Sequence, residues 1–550
     1  MAEMPAWRLP EVEMNAISCN QVSEWSFISS RDYGDPFNDL GVAAVFTHES
    51  GREYLVPGFW AGGNVWKVRF APSESGRYSY TTICSESDDA DLNGQRGEFN
   101  ATPYTGPNAL LRHGRLRASD NKRYFEHADG TPFLWLADTW WMGLTRRLEW
   151  PNGFQTLALD RVKKGFSVAQ IVAGLYPDMP EFDERGANEA GFPWDAGYGR
   201  INPEYFDYAD RRIEYLVDLG IVPCIVGCWG YFIKFMGIEQ MKKHWLYLIA
   251  RYGAYPVVWC LAGEAAMPYY MSEDKAADRR FQIEGWTELA EYVRAADPHH
   301  NLITIHPTDQ GRNQVSDPSL LDFDMLQTGH GDRASLPNTI NTVTEAYARE
   351  PRMPFIDSEV CYEGIGEACR QEVQRLMFWS CMLSGAAGHT YGANGIWQVN
   401  TREKPYGPSP HGSSWGDTPW EDAYQLPGSG NLGIGKRLLE RYEWWRFEPY
   451  PEWVEPHWTK ENYFAPYAAG IPGKVRFIFF PLSWWGIGTI KCIEPEADYS
   501  ACLFNPSTGE ETQIGPVTPD ANGDWELPLG NPPWKVMPIY RDWVLVLSSR

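Results

Sequence analysis

The chain lacks what would mark a membrane, nucleic-acid or disulfide-built protein. No stretch approaches the ~18–20 consecutive apolar residues a membrane helix needs. Positive charge is scarce: 48 Lys and Arg stand against 72 Asp and Glu, a net charge of −24. Such a surface repels phosphate backbones and anionic lipid, so neither nucleic acid nor membrane is expected as a partner. The ten cysteines in 550 residues follow no framework spacing. Cys224, Cys228 and Cys260 sit inside apolar runs, as buried free thiols of a reducing compartment do. Met1-Ala-Glu-Met-Pro-Ala-Trp-Arg has neither a basic nor an apolar leader region. No signal peptide is read from it, and a cytoplasmic location is expected. His-Glu-x-x-His and His-x-His are both missing, and His299-His300 lies in a polar turn, so no metal and no cofactor is expected. There is no internal repeat and no low-complexity tract.

What the chain has in quantity is aromatic: 26 Trp, 29 Tyr and 25 Phe. Pairs such as Trp140-Trp141, Trp444-Trp445 and Trp484-Trp485 stand in polar surroundings. Flat aromatic faces suit ligands that are apolar on one side and wet on the other, sugars among them, and they suit interdomain packing equally well.

Three regions follow from the patterning. Residues 1–115 run β-branched and aromatic with frequent Gly, Pro and Asn breaks, the rhythm of an antiparallel β-sandwich. Within them Asp89-Ala-Asp-Leu-Asn-Gly94 copies the start of a calcium loop, but its closing position is Asn100, so a solvated hairpin loop is expected. Residues 116–448 alternate strand and helix. Eight strand-like runs begin at Pro132, Phe166, Ile221, Pro256, Asn301, Phe323, Pro354 and Ala386, and together they predict a (β/α)₈ TIM barrel. Residues 449–550 turn β again and predict a small C-terminal β-sandwich. The Gly/Pro/Ser-rich stretch from Pro405 to Gly433 holds Gly412-Ser-Ser-Trp-Gly416 and Gly428-Ser-Gly-Asn-Leu-Gly433. Neither follows a strand, so both are read as flexible loop, with one more helix from Gly435 to Trp445.

The fourth run, Pro256-Val-Val-Trp-Cys-Leu-Ala-Gly-Glu264, is apolar along its length and delivers an acid at its C-terminal end. The seventh, Pro354-Phe-Ile-Asp-Ser, is followed by Glu359. In a barrel those strands lie nearly opposite one another at the catalytic rim. Two carboxyl groups about 5–5.5 Å apart across a sugar are the machinery of retaining glycoside hydrolysis. The same rim collects Asp138, Gln170, Trp229, His306, His330, Tyr391 and Trp397 as candidate substrate contacts. Each has a plainer reading: Asp138 as a capping acid, His306 and His330 as satisfied core histidines. Trp140, Trp141, Trp229 and Trp397 look able to wall off a pocket, which points to action from a chain end.

At these residues the chain resembles the apiosidase-like TIM-barrel proteins around glycoside hydrolase family 140, in the retaining clan. The resemblance is carried by Phe133-Leu-Trp-Leu-Ala-Asp-Thr-Trp-Trp141, Val257-Val-Trp-Cys-Leu-Ala-Gly-Glu264, Gln327-Thr-Gly-His330 and Phe355-Ile-Asp-Ser-Glu-Val-Cys-Tyr-Glu363, with Ser384 to Trp397 at the eighth strand. It implies Glu264 as acid/base and Glu359 as nucleophile, with Gln327 and Tyr362 among the sugar contacts and Glu363 as a rival nucleophile. It also implies accessory sandwiches on both flanks. Two departures stand out. Gly263 replaces the Asn that most of the clan places before the acid/base, and Glu264 stands where the apiosidases carry Asp. The expected activity is that of a retaining, exo-acting hydrolase on a terminal furanoside or similar small sugar. The alternative from another class is a non-catalytic polysaccharide-binding or adhesion protein. A homo-oligomer is left open.

Overall fold

A computed structural model describes residues 16–482, 488–528 and 541–549; the Trp484-Trp485 pair lies outside the described residues. The chain divides into two compact units. One comprises residues 1–107, 246–255 and 296–299, and the other residues 108–245, 256–295 and 300–550.

In the first unit, Ala16–Ser18, Val42–His48, Glu53–Pro57, Gly76–Cys84 and Arg96–Thr102 form a five-stranded sheet. Ser23–Ile28, Phe59–Trp60 and Val65–Phe70 form a second sheet of three. Along Val42–His48 every second side chain is buried, the period a half-buried strand imposes. Both sheets contribute to one apolar cluster, in which Phe46 stacks on Phe70 with ring centroids 4.3 Å apart. The loop expected to be solvated is anchored inward instead. Asp89 is buried and accepts hydrogen bonds from Ser29 Oγ, Tyr33 OH and two backbone N–H groups of its own loop.

The second unit holds the barrel. Its strands are Trp135–Thr139, Val168–Val172, Val222–Val226, Val258–Cys260, Ile303–Thr304, Asp324–Gly329, Phe355–Val360 and Gly388–Tyr391, all parallel and paired in the order 5-4-3-2-1-8-7-6. The ring is nearly closed. Between strands five and six, among the described residues, no ladder runs; Asp322 N donates to Ile303 O (2.8 Å) and Thr304 Oγ1 to Phe323 O (2.9 Å) across the seam. Strands buried on both faces need apolar residues throughout, and Val258, Trp259, Cys260 and Leu261 are fully buried. The run expected from Pro132 to Asp138 splits. Pro132–Phe133 pairs antiparallel with Phe125–His127, and the barrel strand starts at Trp135.

Helices cover the barrel where the 3.6-residue stripe predicts them. Pro203–Asp218 is N-capped by Asn202 and stopped by Gly220, which takes a left-handed φ of 79°. The Gly-rich stretch corrects the sequence reading, since Pro427–Leu439 is an α-helix rather than a loop, buried over most of its length. Its glycines serve packing: a Cβ on Gly433 would lie 1.8 Å from Lys164 O. Only a bare backbone fits against the helix Asn152–Lys164, so a residue with poor helix propensity is selected by a close approach. Where a continuing helix was expected, Trp444–Arg446 is a single 3₁₀ turn.

After the barrel come a six-stranded antiparallel sheet and a two-stranded one. The expected strands are present as Val475–Phe480, Tyr499–Phe504 and Trp543–Ser549. The larger sheet is fixed to the barrel helix Gln371–Met382 by the buried Arg375–Asp542 ion pair (2.7 Å) and by Trp379 stacked over Phe477 and Phe479. Among the described residues no helix is long and apolar enough to cross a membrane.

Candidate active site

A cavity of about 280 Å³ opens at the C-terminal ends of the barrel strands. Glu264 and Glu359 both line it, and one side chain joins them. Gln327 Nε2 stands 3.0 Å from Glu264 Oε1 and 3.4 Å from Glu359 Oε1. One nitrogen bridging both carboxylates keeps the two Oε1 atoms no farther apart than these contacts laid end to end, 3.0 and 3.4 Å.

The two acids live in different surroundings. Glu264 follows strand four in a turn, with a left-handed φ of 42° that costs a side-chain-bearing residue about 1–3 kcal/mol. Its Oε2 accepts from Trp229 Nε1 at 3.2 Å. Burial, then the nearby Glu359 charge, push its pKa from the ordinary 4.5 up to about 7, against the hydrogen bonds from Gln327 and Trp229. Burial also pulls Glu359 upward, but there the donors win and its pKa ends below the ordinary value. His330 Nε2 lies 2.9 Å from Glu359 Oε1, while its Nδ1 accepts from Tyr362 N at 3.3 Å. That acceptor role on Nδ1 leaves the proton on Nε2, aimed at the carboxylate. His306 adds a second ring, its Nε2 3.4 Å from Glu359 Oε2. One acid is thus held towards its protonated form and the other towards its ionised form at neutral pH.

Gly263 explains a local choice. A Cβ there would lie 2.3 Å from the Trp229 ring, so glycine is what lets the indole reach Glu264. An Asn at that position and Trp229 in this place are mutually exclusive.

Residues 119–446 match the family model described as "Apiosidase-like, catalytic domain". The chain belongs to the apiosidase-like family. Its barrel is therefore a catalytic domain of the glycoside hydrolase kind. A second family model, a domain of unknown function (DUF5060), matches residues 17–85. No curated protein sequence matches the chain. Among solved structures, a protein given as "Glycoside hydrolase" is 22% identical with a TM-score of 0.65, covering 80% of this chain and 97% of its own. A glycoside hydrolase family 5 protein from Bacteroides vulgatus is 22% identical with a TM-score of 0.66, over 80% and 93%. A candidate glycoside hydrolase from the same organism is 17% identical with a TM-score of 0.68, over 98% and 100%. At these identities what is shared is the fold.

Of the sequence-predicted contacts, the apiosidase-like barrel brings Trp141, Trp229, Gln327, His330, Tyr362 and Trp397 to the cavity wall beside the two glutamates. Five others lie elsewhere. Asp138 points outward to the helix Asn152–Lys164, where Arg161 Nε (2.6 Å) and Trp140 Nε1 (2.7 Å) bind it beneath the surface. That one pairing removes both Asp138 and Trp140 from the rim. Gln170 is buried inside the barrel and donates to Ser358 O at 3.2 Å. Tyr391 donates to Glu363 at 2.6 Å. His306 is fully buried, its ring edge-on to Trp141, and acts on Glu359 from behind the wall. Glu363, the rival nucleophile, is buried and accepts from Gly428 N at the start of the helix Pro427–Leu439, the place where a helix favours an acid.

Sequence reasoning missed Asp178, Tyr270 and Trp415, which also line the wall. Asp178 follows strand two as Glu264 follows strand four, so the same end-of-strand signal was there. Trp415 sits inside the stretch read as flexible loop.

Proposed function

We propose that this apiosidase-like protein is a retaining, exo-acting glycoside hydrolase that releases a terminal furanoside or similar small sugar, such as an apioside or arabinofuranoside. The observation that carries the reading is the single Gln327 amide bridging both carboxylates. Two contacts of 3.0 and 3.4 Å to one nitrogen keep the facing oxygens closer than the roughly 6.5–9.5 Å at which an inverting enzyme seats its water, which supports the retaining reading.

Glu359, ionised and steadied by His330, attacks the anomeric carbon while Glu264 gives its proton to the departing oxygen. The glycosyl ester on Glu359 is then hydrolysed by a water that Glu264, now ionised, deprotonates. As the ester forms, Glu359 loses its negative charge, which removes the repulsion that had raised Glu264. The former acid can then serve as base. Chain-end action is supported by the size of the cavity, at the small end for ligand sites, and by walls of Trp141, Trp229 and Trp397.

A binding-only protein would have no use for two acids driven to opposite protonation states around one donor. The deciding experiment follows the anomeric proton by NMR during hydrolysis of a 4-nitrophenyl furanoside. The first-formed sugar should keep the configuration of the substrate; an inverted product rejects the mechanism. No turnover across a broad panel of glycosides rejects the activity.

A further inference from the structure

A third carboxyl group faces the same cavity from the loop after strand two. Asp178 is 7% exposed and holds a left-handed φ of 55°, unusual for a residue with a side chain. The strain is held by neighbours: Tyr406 OH donates to the carbonyls of Pro177 (3.1 Å) and Asp178 (3.3 Å). Trp415 Nε1 donates to Asp178 Oδ2 at 3.1 Å. Tyr270, Ser409 and His411 stand near the carboxyl and favour its charge. Burial outweighs these partners and raises the Asp178 pKa above its ordinary value.

Arginine or lysine is the usual partner of a buried acid. Here, among the described residues, none of the side chains lining the cavity is Lys or Arg. The wall carries Asp178, Glu264 and Glu359, with His330 already committed to Glu359. An ionised carboxylate only accepts hydrogen bonds, and it gains most from a ligand that brings donors without a charge of its own sign.

We infer that Asp178 is a specificity-determining residue whose carboxylate accepts hydrogen bonds from the hydroxyl groups of a neutral sugar and turns away an anionic one. The substrate class is then a neutral glycosyl unit, with uronic, sulfated and phosphorylated sugars excluded from the cavity. This rests on the hydrolase reading only in taking the occupant to be a sugar. Exclusion works by building an unpaired like charge against the wrong ligand, as specificity commonly does.

The test uses the full chain and a readout independent of turnover. Trp141, Trp229, Trp397 and Trp415 line the cavity, so tryptophan fluorescence reports occupancy. L-Arabinose and D-xylose are titrated against D-galacturonate and D-glucuronate at neutral pH. The neutral sugars should bind about ten-fold or more tighter than the uronates, and Asp178→Asn should weaken them by a similar factor and narrow the gap. Asp178→Glu keeps the charge and should go on excluding uronates even if the Asn variant fails to fold. Ser409→Ala removes a nearby hydroxyl that donates to Ser413 O (3.2 Å) and should preserve the discrimination.

Equal affinity for both sugar classes, no binding of any sugar, unchanged binding in Asp178→Asn, or an equal loss in Ser409→Ala would each overturn the assignment. In parallel, Glu359→Ala is assayed on 4-nitrophenyl glycosides. Retained turnover there would defeat the hydrolase reading while the titration still decides on Asp178.

Discussion

Gly263 and the Trp229 indole compete for one volume, since a Cβ on the glycine would lie 2.3 Å from the ring. The backbone at the end of strand four is tied to the Trp229 segment by N–H bonds in both directions, from Gly230 to Gly263 O and from Gly263 to Cys228 O. The glycine therefore cannot retreat, and the ring must move. Gly263→Ala should break the 3.2 Å contact between Trp229 and Glu264. Overpacking of this kind costs about 1–3 kcal/mol, and kcat should fall about ten-fold or more with the acid misplaced. Denaturant unfolding and steady-state kinetics on one preparation check both numbers.

The two glutamates should respond differently to leaving-group chemistry. Glu359→Ala removes the attacking atom and should abolish turnover of every substrate. Glu264→Ala removes only the proton donor, so aryl glycosides with good leaving groups should retain far more activity than those with poor ones. Plotting kcat/KM against leaving-group pKa gives a shallow slope for the native enzyme and a steep one for the variant. Parallel lines would remove Glu264 from the acid role.

The pH profile follows from the same assignments. The proton donor must be protonated, and Glu264 titrates at about 7, so kcat/KM should fall as the pH rises through neutrality. The nucleophile must be ionised, and Glu359 is held below the ordinary carboxylate range, so the acid limb should lie at low pH. In Glu264→Ala, assayed with an activated aryl glycoside, the alkaline limb should disappear and the acid limb should remain.

His330 should prove to be what keeps that acid limb low. Its Nε2–H is the closest donor to Glu359, at 2.9 Å. His330→Ala leaves burial to act with less opposition, so the Glu359 pKa rises and the acid limb moves to higher pH by about one unit, one unit being 1.36 kcal/mol. A loss of kcat with an unmoved acid limb would make His330 merely structural.

The barrel was legible because each strand is a short apolar run between breakers, a pattern set by burial on both faces. That Glu264 and Glu359 share one cavity was legible because an acid at the end of such a run stands out. Asp138 has the same signature, yet its side chain turns outward to Arg161, a partner 23 residues away that spacing alone does not reveal. His306 was read as a sugar contact because a strand end says nothing of which layer a side chain occupies. Asp178 and Trp415 were lost because long excursions fold back over the mouth, and the 3.1 Å bond between them spans 237 residues.

The glycine-rich segment offers a test of sign. On propensity alone, Gly→Ala inside a helix stabilises by about 1 kcal/mol, and exposed glycines of this kind are common targets for stabilisation. Gly433 lies inside the helix Pro427–Leu439, but an added Cβ would sit 1.8 Å from Lys164 O, a backbone atom with no rotamer to yield. Gly430, three residues earlier in the same helix, has nothing within 4 Å of its would-be Cβ. Gly430→Ala should therefore raise the unfolding free energy by about 1 kcal/mol, and Gly433→Ala should lower it by about 1–3 kcal/mol as the two helices are forced apart. Paired urea titrations give both values. If the two substitutions shift stability in the same direction, the close approach of this helix to Lys164 is not what holds the glycine in place.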